Sequence, residues 1–232
     1  MQYLYLWLDL GSLAVPLLFS FHPRLAFYKK WRFFFPAVLF MMLIFLPWDI
    51  AFTHHGFWGF NEDYLSGIYL LNLPIEEWLF FLCIPYACIF SHYALLTLLP
   101  KLVLPKRVTG YIYVVLVSVL IIALWYGYLQ WYTSLCFLYA LLLLGIVYNT
   151  RPRWLSEFFP TYLFILIPFF LVNGLLTGSW IDEMVVWYNN EENFGVRFGT
   201  IPVEDTIYNL GMLLTVFAGM SFLEARYERK RS

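Results

Sequence analysis

Seven stretches of this chain, at roughly 3–21, 33–53, 74–99, 110–129, 131–149, 160–178 and 202–223, are long and apolar enough to cross a hydrocarbon core, which takes about 20 helical residues. That feature fixes the fold class before any motif is read: an all-α polytopic membrane protein with seven transmembrane helices. Composition agrees. Of 232 residues, 62% are hydrophobic and 12% charged, against about 25% charged in a soluble domain, and no water-soluble globule of this size hides so much apolar surface. A net charge of −1 with no basic run apart from the hydrophobic segments excludes a disordered, collagenous or nucleic-acid-binding chain. Residues 1–22 carry neither a basic leader nor a small-residue cleavage pattern, so they read as a retained span rather than a signal peptide. Cys83, Cys88 and Cys136 lie inside apolar stretches at no metal-ligand spacing, and an odd count there argues against a disulfide framework.

The connections sort by charge. Arg24, Lys29, Lys30, Arg32, Lys101, Lys106, Arg107, Arg151, Arg153, Arg226, Arg229, Lys230 and Arg231 fall on one side, 13 of the 14 basic residues, and Arg197 alone on the other. The positive-inside rule then places the N-terminus outside and the C-terminus in the cytoplasm. Two outer loops, near 54–73 and 179–201, are long and aromatic (Phe57, Trp58, Phe60, Tyr64; Trp180, Trp187, Tyr188, Phe194, Phe198). They form either an interfacial aromatic belt or a cover over a cavity mouth. Prolines 16, 47, 85 and 168 within the spans suggest kinks, which packed spans tolerate.

Sliding the sequence against itself aligns 61–77 with 189–205 without a gap: Asn61 meets Asn189, Gly67 meets Gly195, and Leu73-Pro74-Ile75-Glu76-Glu77 meets Ile201-Pro202-Val203-Glu204-Asp205. Upstream, a slightly shorter shift pairs Phe34-Phe35-Pro36 with Phe158-Phe159-Pro160 and sets Asp49 opposite Asn173. The chain therefore reads as a three-helix repeat over 1–100, a linking helix over 101–130 and a second three-helix repeat over 131–232. A three-span unit fused directly to its copy would be inverted; the linking span restores the orientation and makes the repeat parallel.

Charge at membrane depth costs several kcal/mol and marks function by default. Glu76, Glu77, Glu204 and Asp205 open spans 3 and 7, Asp49 and Asn173 sit near the outer ends of spans 2 and 6, and Asp9 lies in the outer half of span 1, with no lysine or arginine within the spans. The plainer reading is helix-start chemistry, with proline at the first helical position and acids in the first turn. Two copies, each with paired acids and joined by Asp49 and Asp9, favour an acidic site. Neighbouring helix residues point about 100° apart, so one acid of each pair is expected to line the cavity while its neighbour bonds the loop or cap. A desolvated carboxyl without a cationic partner can stay protonated near neutral pH, and an ionised neighbour can accept a proton. Trp48, Trp78, Phe80, Trp180 and Tyr208 offer aromatic faces to a carbocation. The set suits acid–base chemistry on an apolar substrate.

Other chemistries lack their residues. Span 7 has no lysine for a retinal, no Gly-x-Gly-x-x-Gly follows a strand, and the paired aspartate motifs of membrane prenyltransferases are missing. His54-His55 is an interfacial pair more readily than a metal site, and His92 a packed histidine. Asn149-Thr150-Arg151 is no glycosylation acceptor. No metal and no cofactor is expected.

Pro74-Ile75-Glu76-Glu77 and Pro202-Val203-Glu204-Asp205, on the third and seventh spans of two fused three-helix halves, resemble the membrane-integral lycopene cyclases, in the single-chain form of the heterodimeric bacterial and archaeal type, related to the cyclase domain of bifunctional fungal enzymes. Pro23-Arg24 and Phe35-Pro36 add to the likeness, which covers essentially the whole chain. The resemblance implies a redox-neutral isomerisation: lycopene closes to β-ionone rings, giving γ-carotene and then β-carotene. It implies Glu76, Glu204, Glu77 and Asp205 as catalytic acids; the repeat itself favours Glu76 as proton donor, because its half keeps Asp49. Asp49 and Asn173, added from the repeat, would line the substrate site with the aromatics above. Lycopene or γ-carotene would enter from the lipid of a bacterial plasma membrane. Membrane lipids, other carotenoid-pathway enzymes and a second copy of the chain are the candidate partners. The competing readings are a carotenoid hydratase working through the same cation, and a membrane transporter or carotenoid-binding protein.

Overall fold

A computed structural model describes residues 2–150 and 154–230, without the side chains of Asn149 and Thr150. Arg151, Arg153 and Arg231, three of the residues counted for orientation, lie outside the described residues, as does the Asn149-Thr150-Arg151 triplet in part. Among the described residues there are seven α-helices: α1 (Leu4–Phe19), α2 (Trp31–His54), α3 (Ile75–Leu98), α4 (Lys106–Tyr126), α5 (Trp131–Thr150), α6 (Leu155–Leu176) and α7 (Val203–Arg229). The long outer connections carry short strands that no sequence pattern announces: β1 (Trp58–Phe60), β2 (Tyr69–Leu70), β3 (Leu73–Pro74), β4 (Val186–Tyr188), β5 (Arg197–Phe198) and β6 (Ile201–Pro202).

Six of the helices, all except α1, are long and apolar enough to cross a membrane. Their exposed surface is itself apolar: Leu43 is 75% exposed, Leu142 61% and Leu163 66%. Six long apolar helices that also turn large apolar side chains outward suit hydrocarbon surroundings, so the chain is an integral membrane protein. The first helix departs from expectation. It is 16 residues long, which at 1.5 Å per residue is about 24 Å, short of the roughly 30 Å core. It ends where the Ser20 hydroxyl donates to the Pro16 carbonyl at 2.7 Å and shares a 2.5 Å hydrogen bond with the Tyr86 hydroxyl.

The chain forms two compact units, Met1–Gly56 with Phe60–Ala94 and Met212–Ser232, and Phe57–Gly59 with Leu95–Gly211. In the first unit, aromatic edges knit Phe27, Phe34, Tyr86 and Phe90 together. At that end Lys30 pairs with Glu224 at 2.9 Å and the Arg32 guanidinium donates to the Tyr227 hydroxyl. Within the same unit α7 approaches α2 closely: a Cβ added at Gly219 would lie 3.1 Å from the Ala37 Cβ, the small-residue contact that lets membrane helices pack backbone to backbone. At the opposite end Asn72 donates to the Ile50 carbonyl at 2.8 Å, joining the end of α2 to the turn before α3.

In the second unit, α4 and α5 pair through the Tyr113 hydroxyl, which donates to the Leu144 carbonyl at 3.0 Å. The Leu104 N–H donates to the Ser156 carbonyl, fastening the start of α6. Tyr162 on α6 donates to the Thr206 carbonyl of α7 at 2.7 Å.

The sequence repeat returns as backbone hydrogen bonding. β2 pairs with β3 with Tyr69 opposite Pro74; at the matching place in the second repeat, β5 pairs with β6 with Arg197 opposite Pro202. The Ile75 N–H donates to the Ile68 carbonyl and the Val203 N–H to the Val196 carbonyl. Asn61 caps the N–H of Asp63, and Asn189 that of Glu191. These hairpins correct one expectation: Pro74 and Pro202 close a strand pair and the helix begins one residue later. Proline suits both places, since neither asks for its missing N–H.

Candidate active site

The acids fall into two clusters, one in each unit. In the first, α3 carries Glu76 and Glu77, both buried. Oε1 of Glu76 accepts the Ser66 N–H at 2.7 Å. Its Oε2 is buried with no hydrogen-bond partner among the described residues. Glu77, about 100° around the helix, instead accepts the hydroxyl of Tyr5 from α1 at 2.5 Å. Asp9 and Asp49 are 1% and 2% exposed and, with Glu77, lie within electrostatic reach of Tyr5.

The second cluster repeats the plan with different partners. Oε1 of Glu204 accepts the Phe194 N–H at 2.8 Å, the counterpart of the Glu76 bond in the second repeat, and also the Thr133 hydroxyl at 2.6 Å. Its Oε2 too is buried without a hydrogen-bond partner among the described residues. Asp205 accepts three donors: the hydroxyls of Tyr132 at 2.6 Å and Tyr188 at 2.9 Å, and the Asn173 amide at 2.8 Å. Both of its oxygens are hydrogen-bonded.

From sequence, one acid of each pair is expected on a cavity and its neighbour on the loop or cap; the hydrogen bonds instead divide each pair between the loop and a tyrosine. The leading acid of each pair is pinned through one oxygen by a loop N–H, and the following acid is held by a tyrosine from the first helix of its half. Glycine follows the donor residue in both loops, with φ of +80° at Gly67 and +66° at Gly195. A side chain there is strained by about 1–2 kcal/mol. Gly195→Ala is therefore expected to lower the midpoint of thermal unfolding in detergent by a few degrees, an effect absent from Gly110→Ala in α4, where an added Cβ meets open space.

The expected aromatics are placed unevenly. Phe80 lies edge-on to Tyr5 at 6.4 Å. Trp48 stacks on Phe45 and sits edge-on to Phe52. The Trp78 indole donates to the Leu70 carbonyl, which ties it to the β2–β3 hairpin. Tyr208 belongs to the second cluster, edge-on to Trp58 and Tyr132. Trp180 does not join it. It is 75% exposed on a backbone with φ of +64°, over Gly174 of α6. His92 is buried against Phe217 at 4.5 Å, a packed histidine as expected, and His54 and His55 lie exposed at the end of α2. All three cysteines are free and buried.

Sequence reading missed Tyr5, Tyr132 and Thr133, and named Trp58 and Tyr188 only as outer-loop aromatics. A third alignment exposes the first two: with α1 from Leu4 laid on α5 from Trp131, Tyr5 meets Tyr132 and Asp9 meets Cys136. In a chain with 18 tyrosines, one such match carries little weight until both are seen donating to equivalent acids.

The family model described as lycopene cyclase matches residues 2–95 and 129–223, the segments holding α1–α3 and α5–α7. The chain belongs to the lycopene cyclase family. No curated protein and no solved structure matches it. The family makes the chain a membrane-embedded enzyme of carotenoid-cyclase type, and it matches each half separately, with α4 between the two matched segments. The buried acid pairs stand in corresponding places in the two matched segments.

Proposed function

We propose that the chain is a lycopene β-cyclase, closing the ψ ends of lycopene to β-ionone rings to give γ-carotene and then β-carotene. The observation that carries this is the state of Glu76 and Glu204: each is buried, fixed through Oε1 by a loop N–H, and left with an Oε2 that no described residue hydrogen-bonds. A carboxyl fixed through one oxygen presents the other, with its proton, to a substrate carbon. No polar competitor among the described residues intercepts it.

The balance of the reaction suits such a site. A carboxyl gives its proton to C2 of the terminal C1–C2 double bond, leaving a tertiary cation at C1. The C5–C6 double bond attacks to form the C1–C6 bond and moves the cation to C5. Loss of the C6 proton to a carboxylate restores a C5–C6 double bond. No electron is gained or lost. Glu76 is the favoured donor, because its half keeps Asp49 where the other has Asn173. Glu77 and Asp205, each held by tyrosine, act as acceptors and fix the helices around the site. Tyr5, Phe80 and Trp48 in one half, and Trp58, Tyr132 and Tyr208 in the other, supply ring faces to a passing cation.

The substrate has no soluble form and enters from lipid, its length comparable to the bilayer core of about 30 Å. We place the enzyme in a bacterial plasma membrane with the N-terminus outside and the C-terminus inside, and α1 as a seventh, short crossing in two parallel repeats. Expression in lycopene-accumulating bacteria tests the reading. β-Carotene or γ-carotene supports it, whereas a hydroxylated acyclic product identifies a hydratase and unchanged lycopene a transporter or binding protein. The outer loops reach the second cluster through the side chains of Trp58 and Tyr188. Phe198 is 57% exposed, and Phe57 serves its loop by accepting the Asn189 N–H through its carbonyl. Phe198→Ala is accordingly expected to keep ring formation within about threefold of the parent, since exposed surface changes cost little, and Phe57→Ala, at a half-buried position, to lose less than the acid substitutions. Pigment chromatography measures this.

A further inference from the structure

The first cluster contains a carboxyl that the scheme above leaves idle. Asp9 lies one helical turn beyond Tyr5, on the same face of α1, and is 1% exposed. Neither of its oxygens has a hydrogen-bond partner among the described residues. The groups within electrostatic reach of it are Tyr5 on its own helix and Glu76, Glu77 and Cys83 on α3; Asp49 of α2 reaches the same Tyr5. No cation is among them. A purely structural aspartate would be expected to find donors, because a buried polar group without a hydrogen bond costs stability. In the second half the fold does without it: Cys136 stands at the equivalent place, its thiol on the Glu204 carbonyl at 3.5 Å.

Ring closure creates a task for such a group. Each closure takes a proton from one carboxyl and leaves one on another. Glu76 and Glu77 are neighbours on α3 whose side chains diverge by about 100°, one turned to the loop and the other to Tyr5, so the proton has no direct way back. We propose that Asp9 is the positioning residue that returns the proton from Glu77 to Glu76 between turnovers. The step is an exchange among three carboxyls. Asp9 takes the proton that Glu77 received from C6 and delivers one to the depleted Glu76, so the cluster ends each cycle with as many protons as it began and needs no other reactant. The inference rests on the cyclase reading, and it assigns proton cycling to the first half.

The test separates one turnover from many. Protein is reconstituted in phospholipid vesicles with lycopene either below or well above the enzyme concentration, and ring formation is followed by chromatography. For Asp9→Asn, and for Asp9→Cys, which installs the residue the second half already tolerates, single-turnover closure should stay within about twofold of the parent. Steady-state turnover should fall at least about a hundredfold, the lower range for loss of a proton-transfer group, and Asp9→Glu should recover part of it. The protonated-carboxyl C=O band in the infrared spectrum should weaken in Asp9→Asn, a change read without any activity. Equal losses in both regimes would mean a structural role and overturn the proposal, as would unchanged steady-state turnover. If the parent protein leaves lycopene uncyclised, the cyclase reading falls and this inference with it; if the parent cyclises and Asp9→Asn matches it, this inference alone falls.

Discussion

Glu76→Gln and Glu204→Gln should each reach the membrane in normal amounts, and at least one should form rings at least about a hundredfold more slowly than the parent, in the range for removing a general acid or base. Glutamine keeps the length and shape of the side chain, and its amide oxygen still accepts the Ser66 or Phe194 N–H that positions the group. What it loses is the carboxyl proton. The substitution thus leaves the loop anchor in place and removes only the chemistry, which makes pigment yield per unit of inserted protein a clean readout. If only Glu76→Gln is inactive, proton donation belongs to the first half and Glu204 serves shape; if only Glu204→Gln is inactive, the favoured donor is wrong. Full activity in both overturns the acid–base assignment altogether.

The membrane class was legible because lysine and arginine are excluded from long apolar spans, and exclusion is visible in a linear sequence. Helix boundaries followed within six residues, the largest differences being the start of α6 and the end of α7, where polar residues extend the helix past the apolar stretch. The α1 span differs in another way, being short of a full crossing. Its apolar run reads to residue 21, but Ser20 turns back to Pro16 and engages Tyr86 from α3, so the helix stops where a tertiary partner stops it. The paired loops were readable as a repeat, since Asn61, Gly67 and Pro74 recur at a fixed offset, yet their hairpins were not. Strands of two residues are too short to show an alternating pattern. The acids were found by type and depth. Their roles were hidden, because which of two neighbours on a helix meets a tyrosine depends on the helix's rotation against another element. That rotation is set by packing against an element far away in the chain, Tyr5 for Glu77 and Tyr132 for Asp205. Trp180 fails for the opposite reason: aromatic residues are so common here that type alone does not place one at a site.

The largest stability effect is expected at Asp205. Its carboxylate gathers the Tyr132 and Tyr188 hydroxyls and the Asn173 amide, so side chains from α5, α6 and the β4 strand converge on the first turn of α7. Asp205→Ala removes the common acceptor and leaves three donors buried or half-buried without it. Each donor that loses this charged acceptor costs about 1–3 kcal/mol, and α5, α6 and α7 lose a shared tether within the second unit. A total of about 3–5 kcal/mol, the scale for breaking a buried charged network, is expected in denaturant or thermal unfolding of detergent-solubilised protein. Asp205→Asn should cost less, since its amide oxygen still accepts and its NH2 can turn toward a tyrosine oxygen. Tyr132→Phe should cost least, removing one donor while its ring keeps the stacking with Tyr188 at 6.0 Å. The order Ala, Asn, Phe separates two accounts of the residue. If stability follows that order while Asp205→Asn still closes rings, Asp205 is the post around which the second half folds, and proton chemistry rests with the glutamates. If Asp205→Asn is as stable as the parent but forms no rings, its carboxylate belongs to the reaction itself.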